Sequence, residues 1–212
     1  MKPATLAIVV ATALVAGATA GAWIYRSRAP ELAAPTDALP PLKLAANLPE
    51  VSLLDREGVQ RGFDHWRGQS LIVNFWATWC APCRREMPLL ERLQAENAAD
   101  GFQVVGVAVD YRDKVLAYAD KMKISYPLLI GEQEALDAAA AFGVEMVGLP
   151  FTVFSDTRGR IIAAHIGELT AAQADVILAA VRRVNSGGAT PLEARTEIQR
   201  GLDGLPPGPA EG

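Results

Sequence analysis

The stretch that most constrains the fold is Leu71 to Ala77 (LIVNFWA), which runs through Thr78-Trp79 into Cys80-Ala81-Pro82-Cys83 and then into a helical pattern extending to Ala99. A second nearly unbroken apolar run, Phe102 to Asp110 (FQVVGVAVD), follows. Strands that are apolar at almost every position need cover on both faces, as the parallel strands of an α/β sheet have. The order strand, helix, strand therefore predicts a sheet that is at least partly parallel. Glu50 to Leu54 and Val59 to Gly62 flank Asp55 to Gly58 as a hairpin on the N-terminal side. Helical patterns occur at Lys114 to Met122 and Glu134 to Phe142. Phe151 to Phe154 and Arg160 to Ile166 read as an antiparallel hairpin around Asp156 to Gly159, and Ala171 to Val184 as a closing helix. The expected fold class is α/β, a central mixed sheet flanked by helices with an added N-terminal β-hairpin.

Both ends of the 212-residue chain differ from this middle. Ala4 to Tyr25 carries no charge and is long enough to span a hydrocarbon layer of about 30 Å. Lys2 precedes it, and Trp23, Tyr25, Arg26 and Arg28 stand at its far end, so residues 1–28 are expected to be a membrane anchor. Ala18-Thr19-Ala20 offers the alternative of a signal peptide cleaved near Ala20. Residues 29–41 are Pro- and Ala-rich and read as a spacer, residues 42–184 as the folded domain, and residues 185–212 as a mostly disordered tail with a short helix possible at Leu192 to Gln199. The net charge of −4, with acidic and basic residues interspersed, supplies no basic stripe for phosphates and argues against nucleic acid as a partner.

Only two cysteines occur, Cys80 and Cys83. A bridge between them closes so short a loop that it stabilises little, which favours chemistry over scaffolding. At the start of a helix Cys80 meets unpaired N–H groups and the positive end of the dipole, and both favour a thiolate. The free value of about 8.5 should fall accordingly. Arg84 and Arg85 add positive potential, weakened by solvent. Cys83, one turn on, is within disulfide reach. This predicts attack on a disulfide by Cys80 and resolution of the mixed disulfide by Cys83, which must first lose its proton.

Cys83, Met87, Leu90 and Gln94 form an apolar helical stripe, with Glu86 at its edge. Part-burial there would raise the carboxyl above its ordinary value of about 4.3 and make it a proton acceptor for Cys83. Pro88 lies in the same helix and should kink it. Pro150, after Gly148-Leu149, sits where a proline can begin a strand.

The segment RGQSLIVNFWATWCAPCRREMPLLERL, residues 67–93, and more loosely LPFTVFSDTRGRII and the final helix, resemble the thioredoxin-like TlpA/ResA family. The resemblance implies a thioredoxin-like fold with Cys80 attacking, Cys83 resolving, Glu86 as the active-site glutamate and Pro150 as a cis-proline beside the disulfide. Trp79 and Leu149, next to these, are candidate substrate contacts. It further implies reduction of protein disulfides, as in cytochrome c maturation, with a thiol oxidant or isomerase on the same fold as the alternative, a membrane thiol-disulfide donor and no cofactor beyond the Cys80–Cys83 pair. The expected location is the inner membrane, with the domain in the periplasm. Two departures stand out: GVEMVGLP holds two residues more than the common form, and Phe151 replaces a frequent Thr. Asn74 stands where ordinary thioredoxins carry a buried Asp, consistent with Glu86 having taken over the proton work.

Other chemistries on these residues are less well supplied. A metal site would need ligands beyond the cysteines, and His65 in a loop and His165 at a strand end are poor candidates. A peroxidase needs a Thr-x-x-Cys loop, whereas Thr78 and Trp79 precede Cys80 in a different spacing.

Overall fold

The computed structural model describes residues 44–143 and 148–205. The expected anchor and spacer, and residues 144–147 within the GVEMVGLP segment, lie outside them. Seven strands form one mixed sheet: β1 (Leu53–Asp55), β2 (Gln60–Arg61), β3 (Ser70–Trp76), β4 (Phe102–Val109), β5 (Leu128–Gly131), β6 (Phe151–Ser155) and β7 (Ile161–Ile166), in the order β2-β1-β5-β4-β3-β6-β7. β3 pairs parallel with β4 and β4 with β5, while β6 runs antiparallel to β3 and β7 to β6. The N-terminal hairpin joins the sheet through β1, antiparallel to β5. Its turn is tied by Asp55, whose Oδ1 accepts the N–H groups of Glu57 and Val59 while Oδ2 pairs with Arg61.

The helices are α1 (Ala81–Asn97), α2 (Arg112–Met122), α3 (Gln133–Ala141), α4 (Ala171–Asn185) and α5 (Pro191–Asp203). β3 explains why a strand can be apolar throughout. Ile72 and Trp76 face a core built with Met87 and Leu90 of α1 and Ile177 and Val181 of α4. Leu71, Val73 and Phe75 face a second core with Phe63, Trp66, Ala138 and Phe142. Stacking of Phe75 on Phe151, with ring centroids 4.3 Å apart, shows that Phe151 fills this second core. Helix α1 continues through Pro88, as its buried stripe demands.

The structure adds one element to the sequence reading and corrects one expectation. β5 was not visible in the sequence: Leu128 to Gly131 is too short to show a period, and it becomes a strand because β4 and β1 both pair with it. The region after residue 184 is not mostly disordered. α5 is nucleated by a reciprocal capping box between Thr190 and Glu193 with Pro191 in the first turn. Ala194 and Ile198 are buried in the α1-side core, and the Arg195 guanidinium donates to the Ile161 carbonyl on edge strand β7 at 2.7 Å. Gly201 permits this packing, since a Cβ there would stand 2.6 Å from Val176 Cγ1. The folded unit therefore extends to residue 205, and residues 206–212 lie outside the described part.

Candidate active site

β3 delivers the chain to the carboxyl end of the sheet, where Cys80 becomes the N-cap of α1. Cys80 Sγ accepts the Cys83 N–H at 3.2 Å, so one of the free amides of the helix's first turn points at the sulfur. The two cysteines form a disulfide with Cα atoms 5.3 Å apart. Cys80 keeps 5% of its surface exposed and Cys83 none, so of the two only Cys80 has any contact with solvent. Trp79 is 67% exposed beside it. The preceding Thr78 is fixed by the residue that follows β4: its hydroxyl and N–H both donate to Asp110 Oδ2.

The Leu149–Pro150 bond is cis. Phe151 pairs with Phe75, which sets Pro150 at the end of β6 that lies beside the exit of β3 toward Cys80. Half-buried Leu149 packs against both cores. The Pro150 carbonyl accepts the N–H of Gly167, in the turn after β7, at 2.8 Å.

Glu86 is more deeply buried than a stripe-edge position suggests, with 1% of its surface exposed. The buried face of α1 holds Cys83, Glu86, Met87, Leu90 and Leu93, so the carboxyl and Cys83 look into the same interior. Asn74 Nδ2 donates to Glu86 Oε1 at 2.7 Å, and the Leu169 N–H, just before the N-cap Thr170 of α4, donates to Oε2 at 2.8 Å. Burial pushes Glu86 up from an ordinary 4.5 to about 7. Desolvation is the largest cause; the Leu169 and Asn74 hydrogen bonds oppose it, and the Glu168 carboxylate reinforces it. Asn74 Nδ2 also donates to Thr152 Oγ1 at 3.0 Å, leaving Asn74 Oδ1 buried without a partner. A half-turn of that amide would offer Oδ1 to the proton of a neutral Glu86.

Several contributors have no local signature in the sequence. Arg85 is not a free positive charge near Cys80: its Nε and Nη2 bind Glu168 Oε2 at 2.8 and 2.6 Å. Leu169 reaches Glu86, and Thr152 reaches its partner Asn74, only through pairing of distant segments. The two histidines have separate partners. His65 lies in a short 3-10 helix against Arg61, and His165, on β7, approaches the Glu168 carbonyl at 3.3 Å with burial holding it below its usual value. Among the described residues no group of three or more His, Cys, Asp or Glu side chains is placed to hold a metal ion.

Comparison with known proteins agrees with this geometry. The AhpC/TSA family model matches residues 44–164. The chain is 35% identical over 126 residues to the thioredoxin-like protein YneN of Bacillus subtilis, covering 58% of this chain and 71% of that one. It is 30% identical over 128 residues to the thiol-disulfide oxidoreductase ResA of Geobacillus thermodenitrificans, covering 60% and 71%. A secreted thiol-disulfide isomerase from Corynebacterium glutamicum superposes with a TM-score of 0.56 at 29% identity, over 61% of this chain and 80% of that one. With its dithiol pair at the end of β3 and a family match across more than half its length, the chain belongs to the thioredoxin-fold AhpC/TSA family and is a thiol-disulfide oxidoreductase.

Proposed function

We propose that this oxidoreductase is a membrane-tethered reductase of protein disulfides on the extracytoplasmic side, serving apocytochrome c or a comparable thiol protein. The observation that carries the assignment of roles is the asymmetry of the pair: Cys80 caps a helix and keeps a small exposed surface, while Cys83 is fully enclosed on the same helical face as Glu86. Cys80 thiolate attacks one sulfur of the target disulfide; a mixed disulfide forms and the other target sulfur leaves as a thiolate. Glu86 accepts the Cys83 proton, and the Cys83 thiolate attacks Cys80 Sγ and expels the second target sulfur. Two electrons pass to the target and the protein is left as the Cys80–Cys83 disulfide. Trp79, Leu149 and Pro150 frame the approach to Cys80. A membrane donor of thiol-disulfide type returns the two electrons.

Equilibration with glutathione tests the direction. A reductase is expected to lie below about −200 mV, toward the thioredoxin end of the range, whereas a value near the −120 mV typical of a strong oxidant would reverse the reading. Location is tested separately by membrane fractionation. Full-length protein is expected to stay with membranes after alkaline washing and a chain beginning at Ala29 to be soluble, since the apolar run Ala4 to Tyr25 would be the tether. A mature N-terminus at Gly21 would replace the tether with a cleaved signal peptide.

A further inference from the structure

The turn Gly167-Glu168-Leu169 touches the site at four points. The Gly167 N–H, at φ +90°, holds the Pro150 carbonyl; the Glu168 carbonyl faces His165; the Glu168 carboxylate binds Arg85; and the Leu169 N–H holds Glu86. Arg85 and Glu86 are adjacent on α1 but point apart, one side chain half-exposed and the other buried. One residue of the turn thus places a charge beside the buried carboxyl, and the next residue donates to it. We propose that the Arg85–Glu168 ion pair is a positioning pair for the resolving half-reaction, clasping the turn against Glu86 and setting the net charge that Glu86 feels.

The inference rests on Glu86 serving as the proton acceptor of Cys83. Its other charged or titratable neighbours leave the lever to this pair. Tyr126, buried across the core, is pushed upward by desolvation and by the fields of Glu91 and Glu86, and so stays neutral. His165 is held below its usual value by burial, which favours its uncharged form. Asn74 and Thr152 carry no charge, and the cysteines are tied in the oxidised protein. Glu168 alone opposes ionisation of Glu86 by charge, and Arg85 partly cancels Glu168.

Removing either member therefore has opposite consequences. Glu168→Gln deletes the negative charge while its amide oxygen can still accept from Arg85, so Glu86 should ionise more easily. Arg85→Gln leaves Glu168 uncompensated, so Glu86 should ionise less easily. The measurement is carbon-13 NMR titration of glutamate-labelled, oxidised full-length protein at low ionic strength, with Glu86→Gln identifying the Glu86 signal. Relative to wild type, the midpoint is expected to fall by about half a pH unit in Glu168→Gln and to rise by about as much in Arg85→Gln, with Arg85→Lys close to wild type. Midpoints that move in the same direction, or do not move, would overturn the proposal. Opposite movements combined with a resolving rate unchanged by Glu86→Gln would uphold the lever and remove Glu86 from proton transfer, so the two readings fail separately.

Discussion

Replacing Glu86 with Gln is expected to stabilise the oxidised protein at pH 8 and to slow its turnover. The sign follows from the raised carboxyl. In the unfolded chain Glu86 ionises near 4.5, and in the folded protein near 7. Between those values the folded state binds the extra proton, so stability falls as pH rises through the window and levels off above it. The difference corresponds to roughly 3 kcal/mol at most, absent below pH 4.5 and fully expressed above pH 7. Gln carries no charge to desolvate. Its oxygen can accept the Leu169 N–H, and its NH₂ can meet Asn74 Oδ1 once that amide turns, giving the orphaned oxygen a donor. The two proteins should therefore melt together at pH 4, while the variant melts about 5 to 10 °C higher at pH 8. Parallel stability profiles would mean that Glu86 is not buried as an acid. In kinetics, mixed-disulfide formation should be little changed and its resolution slowed by no more than about 10²-fold, since a thiol needs less help than a hydroxyl.

The site was legible where its parts are local. Cys80 and Cys83 are placed by the strand before them and the helix they begin, and Glu86 by its helical spacing from Cys83, although the buried face proved wider than the stripe through Gln94 suggested. The position of Pro150 at a strand start is local, but its cis bond is implied only by the resemblance, because nothing in Leu149-Pro150 alone selects it. What the sequence hid depends on distance along the chain. The bonds from Arg85 to Glu168 and from Leu169 to Glu86 each join residues 83 apart, and no periodicity records them. The same holds for β5, made a strand by its neighbours, and for α5, where Gly201 served close packing against Val176 rather than ending a helix.

Loss of either cysteine should bring disulfide reduction to the background rate, but by different routes. Cys80→Ser alters the one cysteine of the pair that keeps exposed surface and removes the sulfur that receives the helix N–H, so no covalent intermediate forms. Cys83→Ser leaves the attack intact and removes the group that resolves it, so Cys80 should remain joined to its targets. Ser fills nearly the same volume, so the fold should tolerate both changes, and a preserved thermal transition checks this before activity is compared. The most direct measurement is mass spectrometry of mixed disulfides in membranes from cells expressing each single variant as the full chain. Protein adducts on Cys80 in Cys83→Ser, with none in Cys80→Ser, are expected; adducts on Cys83 in Cys80→Ser, with Cys80 left free in Cys83→Ser, would contradict the assignment of attacking and resolving roles.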